Sequence, residues 1–135
     1  MAPYAGPFRT TQDLFQKVLE KLGVLSSGQP VDPEDLAIVS TNYDSILRKI
    51  AGLEIAQLSS YDASGVPGPW FMDLASIIAG EVATSFGYTG QDLWLMMDAG
   101  LGGGQREVGA GAAAQSLKQM SRLKPTLEPL RVDYF

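Results

Sequence analysis

The sequence predicts an all-α fold, a small bundle of about four helices followed by an extended C-terminal arm. Apolar residues recur at steps of three and four in separate stretches, and capping residues and glycines bound these stretches. Pro125 and Pro129 interrupt an apolar C-terminal stretch that therefore cannot be a helix interior. We expect residues 1–101 to form a helical body and residues 102–135 to form a hinge and a C-terminal extension that docks on partner chains.

The first predicted helix begins after Thr10 or Thr11, either of which can cap it, with Asp13 in its first turn. Gly23 is expected to end it in the left-handed conformation. Its apolar residues fall within an arc of about 140°: Leu14, Phe15, Val18, Leu19 and Leu22. A Ser/Gly/Pro loop then leads into a second helix, which predicts a helical hairpin.

The second predicted helix, residues 32–52, has the clearest signals. Asp32 can cap it, Pro33 suits its first position, and two acids follow at the positive end of the helix dipole. One apolar stripe spans roughly 100° of its surface: Leu36, Val39, Tyr43, Ile46, Leu47 and Ile50. We expect Gly52 to supply the left-handed residue that closes this helix.

The third predicted helix opens at Pro69, near Trp70, and should be the most buried because apolar residues cover more than half of its circumference. A ridge of small residues spaced four apart, where a neighbouring backbone could approach closely, consists of Ser76, Gly80 and Thr84. Glu81 intrudes on the apolar arc. Because a buried carboxylate without a partner is costly, we expect it to lie at an edge or to pair with an arginine.

A fourth, shorter helix is predicted from Gln91 to Ala99, with the apolar residues Leu93, Trp94, Met96 and Met97, and the two methionines are expected to fill the core. The glycine-rich residues 100–104 lack the Lys-Ser/Thr pair of a phosphate-binding loop, so they are interpreted as a hinge. Residues 105–123 carry a thin apolar stripe, but Gly109 and Gly111 weaken a helix there, so their state is left open.

The last stretch, residues 125–135, is too apolar to remain in water, and its prolines favour extended backbone. Such segments commonly dock in a groove or add to a sheet edge on a partner. The alternative is that the stretch folds back on its own bundle.

The net charge is −5 and the sequence pI is about 4.5. No cluster of Lys and Arg that could grip nucleic acid is visible. Residues 1–104 carry 5 basic and 12 acidic side chains, and residues 105–135 carry 5 basic and 3 acidic ones. This asymmetry favours docking of one copy's tail on the acidic surface of another, although chance scatter explains it equally well.

The chain has no cysteine and no histidine, which excludes disulfides, Cys/His zinc sites and nucleophilic triads built on those residues. Catalysis would rest on carboxylates such as Asp73 and Glu81, which lie about 12 Å apart along one helix, too far to share a proton. We expect no enzyme activity, cofactor or metal. The apolar run 70–83 is broken by both acids and is too short to cross a bilayer, so no membrane partner is expected.

Residues 11–52 resemble a known family. The run from Thr11 to Val24, which ends in Lys-Leu-Gly-Val, the Ser/Gly/Pro loop and the Asp-Pro-Glu-Asp-Leu helix are similar to the head-to-tail adaptors of tailed bacteriophages. The closest type is the tail accessory factor of short-tailed phages. The resemblance continues more weakly through the Ala/Ile-rich helix at 74–86.

The resemblance implies a structural virion protein without enzyme activity, located in the neck of the particle and assembled in the cytoplasm of the bacterial host. Its members form a homo-oligomeric ring, commonly of about 12 copies, beneath the portal protein. The ring extends the DNA channel, through which packaged DNA passes without specific binding, and offers a platform to tail or nozzle proteins. The family's C-terminal extension reaches along the portal or a neighbouring subunit, although the glycine- and alanine-rich residues 100–114 depart from its pattern.

We assign partner binding to two groups of residues. The first lies on the third helix and comprises Trp70, Ser76, Gly80 and Thr84. The second lies in the arm and comprises Pro125, Leu127, Pro129, Leu130, Arg131, Val132, Tyr134 and Phe135. The alternatives are another head-completion or tail-terminator protein, and a helical regulator that binds a partner through its tail; these differ from an adaptor in how they assemble.

Overall fold

A computed structural model describes residues 8–26, 28–55 and 66–120 and confirms the all-α class. Its helices are α1 (Thr11–Lys21), α2 (Pro33–Gly52), α3 (Gly68–Val82), α4 (Gly90–Ala99) and α5 (residues 112–120). A short 3₁₀ helix, Ala83–Phe86, follows α3. The two-residue strands β1 (Phe8–Arg9) and β2 (Val66–Pro67) pair antiparallel beside the start of α3.

Helix α1 begins and ends as its sequence predicts. The Thr10 hydroxyl accepts a hydrogen bond of 3.1 Å from the Asp13 backbone N–H. At the other end Gly23 has a φ of +78°, and the Val24 N–H donates to the Leu19 carbonyl at 3.2 Å. This left-handed ending is the Schellman arrangement, which satisfies carbonyls that the helix leaves open.

Helix α2 also starts as predicted, because Asp32 Oδ1 accepts from the Glu34 N–H at 2.9 Å and Pro33 occupies the first position. The predicted role of Gly52 is wrong: Gly52 is the last helical residue, and Glu54 has the positive φ of 61°. The Ile55 N–H donates to the Ile50 carbonyl at 3.1 Å, and the Ile55 side chain is buried. With Glu54 as the left-handed residue, the chain turns so that the Ile55 side chain enters the core. Burial of Ile55 offsets the cost of roughly 1 kcal/mol for a non-glycine residue in the left-handed conformation.

Helix α3 lies at the centre and packs against α1, α2 and α4. It is the most buried helix, as predicted, with core residues Phe71, Leu74, Ala75, Ile77, Ile78, Ala79 and Val82. It ends earlier than the apolar pattern suggests, because the chain tightens into the 3₁₀ helix and Gly87 turns it with a φ of +90°. From α2 the stripe residues Val39, Ile46, Leu47 and Ile50 reach the same core, and the Tyr43 ring meets Phe15 edge-on at 5.0 Å.

The core continues past residue 101, which is the last residue of the helical body predicted from the sequence. Leu101, Ala113, Ala114 and Leu117 are buried in the same cluster as the residues of α3. Residues 102–111 and α5 therefore belong to the packed body, and the boundary at 101 requires correction. The proposed docking of the arm concerns residues 121–135, which lie outside the described residues.

Candidate functional site: the α4 face and the glycine loop

Helix α4 packs unusually close to α3 because small residues meet at their crossing. A Cβ on Gly80 would lie 2.8 Å from the Met96 carbonyl oxygen, and one on Gly100 would lie 2.6 Å from the Ser76 carbonyl oxygen. The small-residue ridge therefore does admit a neighbouring backbone, as its spacing indicates. That backbone is α4 of the same chain.

The outer side of α4 is apolar and open. None of its residues is buried, and the Trp94 and Leu95 side chains are 46% and 62% exposed. Val108, in the loop that follows α4, is also exposed, and its Cγ2 lies 3.6 Å from the Cβ position of Gly103. We call Trp94 and Leu95, together with Val108 of this loop, the α4 face. Large exposed apolar groups grouped on one surface are typical of protein contact sites.

The loop that follows α4, residues 100–111, is fastened by one carboxylate. Asp98 accepts backbone hydrogen bonds from Gln105 at 2.9 Å and from Gly104 and Arg106 at 3.1 Å each. The bond from Gln105 is the main cause that lowers the pKa of Asp98 below its usual range, followed by those from Arg106 and Gly104 and by the Arg106 charge. These donors stabilise the ionised form of the acid.

Four glycines of this loop, at positions 100, 102, 104 and 111, pack against backbone, which the prediction of a hinge at 100–104 did not anticipate. A Cβ on Gly102 would clash with the Glu107 carbonyl, and one on Gly111 would clash with the Gly100 carbonyl. Gly102 and Gly103 also have φ values of +108° and +110°, which only glycine adopts easily. The loop folds on itself and on α4 at distances that admit no side chain, and this geometry holds the chain in one conformation.

The structure does not bring the predicted partner-binding residues of α3 together on an open surface. Trp70 is buried, and Ser76 and Gly80 face α4 and Gly100. Thr84 is exposed in the 3₁₀ helix. The remaining predicted residues, Pro125, Leu127, Pro129, Leu130, Arg131, Val132, Tyr134 and Phe135, lie outside the described residues.

Both carboxylates of α3 have structural partners. Glu81 Oε1 lies 2.8 Å from Lys49 Nζ of α2, so the predicted ion pair exists with a lysine instead of an arginine. Asp73 is half-buried, and burial raises its pKa, while a hydrogen bond with Ser116 of α5 and the charge of Lys21 act in the opposite direction. Each acid thus ties α3 to another helix.

A shallow pocket of about 160 Å³ lies where α1, α3 and α4 meet, lined by Lys21, Ser76, Ala79, Met96 and Ala99. Pockets that bind cofactors or small ligands are commonly two or more times larger, at about 300–1,000 Å³. Within residues 8–26, 28–55 and 66–120, no group of three or more acids is placed to hold a metal ion. No helix in this described part is long and apolar enough to cross a membrane.

Sequence reasoning missed the α4 face and the role of Asp98. The sequence pattern places Trp94 among the apolar residues of α4. Trp94 and Leu95 are consecutive, and the weak apolar periodicity of this short helix does not indicate which of its sides faces solvent. Asp98 carried a usable signal, since an acid in the last turn of a helix opposes the dipole and needs donors nearby. The glycines that follow supply those donors.

Comparison of the chain with models of known protein families, with curated proteins and with solved structures found no match.

Proposed function

We propose that this chain is a structural virion protein, a head-to-tail adaptor that forms a ring beneath the portal of a tailed bacteriophage. The observation that carries the proposal is the α4 face, where two large apolar side chains stand open on a helix that is otherwise fixed by close backbone packing. An apolar surface on a rigid part of the body suits a protein that assembles with other chains, because little conformational entropy of that surface is lost on binding.

The charge distribution supports the same function. Residues 1–120 carry 13 acidic and 7 basic side chains, so a ring built from this body would present a negative surface to DNA in its channel. Like charge keeps phosphate from adhering, because binding to DNA depends on its neutralisation by Lys and Arg. Packaged DNA could then move through the lumen during ejection without specific binding. The resemblance of residues 11–52 to adaptors of this class agrees with that role.

The proposal names the partners that the resemblance implies, which are further copies of the chain, the portal protein, and tail or nozzle proteins. It places the protein in the neck of the virion after assembly in the host cytoplasm. No catalytic residue or cofactor is part of it. Another head-completion or tail-terminator protein, or a helical regulator, would differ in assembly.

Native mass spectrometry of the chain, alone and mixed with the portal protein of the same genome, tests the proposal. We expect a portal complex that contains many copies of this chain. A Leu95→Glu variant should weaken that complex by tenfold or more, since about 1.4 kcal/mol corresponds to a factor of ten and an open Leu contributes that much on burial. Leu53→Glu, which changes an exposed apolar residue at the end of α2, serves as the matched control.

A chain that stays monomeric or dimeric with no affinity for the portal would contradict the adaptor function and favour a regulator. Equal losses from Leu95→Glu and Leu53→Glu would contradict the part played by the α4 face.

A further inference from the structure

The loop between α4 and α5 has a close-packed base. Gly102 lies so near the Glu107 carbonyl that a Cβ would clash with it. The Leu101 carbonyl, which belongs to a buried residue, accepts from the N–H groups of Gly109 and Gly111 at 2.8 Å and 3.1 Å. We call these five residues the base of the loop.

Residues 103–106, which we call the strap, connect Gly102 to Glu107. All of them are exposed except Gly104, which is half-buried. The strap has the sequence Gly-Gly-Gln-Arg, so it adds no apolar side chain to the core. A segment with so little buried apolar surface opens at a lower free energy than the core beneath it.

One side chain fastens the strap to α4. The N–H groups of residues 104–106 all donate to the Asp98 carboxylate, at 2.9 Å from Gln105 and 3.1 Å from its two neighbours. The remaining backbone hydrogen bond described for the strap runs from the Gly103 N–H to the Arg106 carbonyl at 2.8 Å and stays within it. Breaking the bonds to Asp98 therefore removes every backbone hydrogen bond between strap and helix that the structure describes.

The strap covers part of α4. The Met97 side chain is half-buried, and its Cε lies 3.0 Å from the Cβ position of Gly103. Gly104 lies against the backbone of Trp94. Trp94 and Met97 are three residues apart and are therefore neighbours on the helix surface. Moving the strap away exposes Met97 beside the Trp94 side chain.

We propose that the strap opens as a unit when its bonds to Asp98 break, while the base of the loop and the helical body stay folded. The open form exposes Met97 next to Trp94 and so enlarges the apolar α4 face. Surfaces of this kind exist as minor conformations of a folded protein. The inference does not depend on the adaptor function, because it concerns a motion of the single chain.

Oxidation by hydrogen peroxide measures the opening, because a methionine thioether becomes a sulfoxide faster where the reagent reaches it. Full-length parent, Asp98→Asn and Asp92→Asn proteins are treated at neutral pH, and tandem mass spectrometry follows the sulfoxide at Met96 and at Met97. Asp92→Asn is the matched control, since Asp92 is an exposed acid of the same helix. Met96 is the internal control, since it is also half-buried but lines the pocket where α1, α3 and α4 meet.

We expect Asp98→Asn to raise the oxidation rate of Met97 by about threefold or more, because hydrogen bonds to a charged acceptor are roughly twice as strong as those to a neutral one. Asp92→Asn should leave that rate unchanged, and Met96 should react at the parent rate in both variants. Equal Met97 rates in the parent and Asp98→Asn proteins would overturn the proposal. A parallel rise at Met96 would overturn it too, because the whole body would then have loosened.

Hydrogen exchange of the parent protein gives a test that needs no substitution. After correction for intrinsic rates, the N–H groups of residues 104–106 should exchange about tenfold faster or more than those of Gly109 and Gly111, because the strap opens without the base. Equal protection of the two groups would show that the loop opens only as a whole, and it would overturn the proposal.

Discussion

At the scale of single residues, Asp98 decides the shape of the loop that borders the α4 face. Its carboxylate accepts three backbone N–H groups from residues 104–106. A carboxylate is a stronger acceptor than a neutral amide, and the three donors offset the unfavourable position of an acid near a helix end that carries partial negative charge. One acid thereby fixes residues 104–106, of which Gly104 lies against the Trp94 backbone.

Replacing Asp98 with Asn should lower the thermal midpoint at neutral pH, because the amide keeps one acceptor oxygen and loses the charge. Since the folded-state pKa of Asp98 is lowered, its contribution is complete above the unfolded value near 3.8 and disappears as the pH falls through the lowered value. The midpoints of the parent and Asp98→Asn proteins, followed by circular dichroism from pH 7 to pH 2, should therefore converge in acid. A constant difference across that range would contradict the assignment.

At the scale of secondary-structure elements, the close contact between α3 and α4 requires a residue without a side chain at position 80. At Gly80 the obstacle is the backbone of Met96 and Met97, which cannot move aside as a flexible side chain could. Gly52, at the end of α2, has nothing within 4 Å of its Cβ position. The two glycines thus differ in the space around them, and Gly80 lies inside α3 whereas Gly52 is the last residue of α2.

Gly80→Ala should reduce the free energy of unfolding by about 1–3 kcal/mol, the usual cost of overfilling a packed site. Gly52→Ala should leave it unchanged or raise it by up to about 1 kcal/mol, because alanine favours a helix. Urea denaturation of both variants measures the difference. Similar effects in the two variants would show that α4 does not lie as close to α3 as described.

The stripe of α2 provides a second prediction at this scale. Ile46 is buried against the core, whereas Ser45, the preceding residue, is exposed. Ile46→Asp should destabilise the fold by about 4 kcal/mol or more, since it removes a packed side chain and brings a carboxylate into the core. Leu22→Asp should act in the same way from the end of α1. Ser45→Asp should change the melting temperature little, and a cooperative melt of Ile46→Asp at the parent temperature would contradict the packing of α2.

The sequence predicted the elements whose signals are local and missed those that depend on contacts between distant residues. Thr10, Asp32 and Gly23 cap or end helices through neighbours within a few residues, so their roles were readable. The left-handed conformation of Glu54 could not be predicted from the sequence, because it depends on the burial of Ile55. Residues 100–104 looked like a flexible hinge, since nothing in the sequence shows that Gly100 lies against the backbone of Ser76 and that of Gly111.

At the scale of the whole molecule, the body is a helical platform that ends in α5, and residues 121–135 follow it. Residues 1–120 carry 13 acidic and 7 basic side chains, whereas residues 121–135 carry 2 acidic and 3 basic ones. The acidic charge of the protein therefore lies in the part that forms the helical body.

Deleting residues 125–135 should leave the helical body folded, because the described residues from Leu14 to Leu117 already form one packed core. The shortened chain should lose its place on the portal, since the resemblance to the adaptor family implies that the C-terminal extension reaches along the portal. Circular dichroism checks the fold, and sedimentation with the portal protein checks docking. Undiminished docking would argue against any anchoring role for the segment.

Electron cryomicroscopy of the portal bound to this protein tests the central claim most directly. The account predicts a closed ring in which the Trp94 and Leu95 side chains of each copy are covered by chain from the next one. A bound single copy, or a ring in which both side chains face solvent, would contradict it.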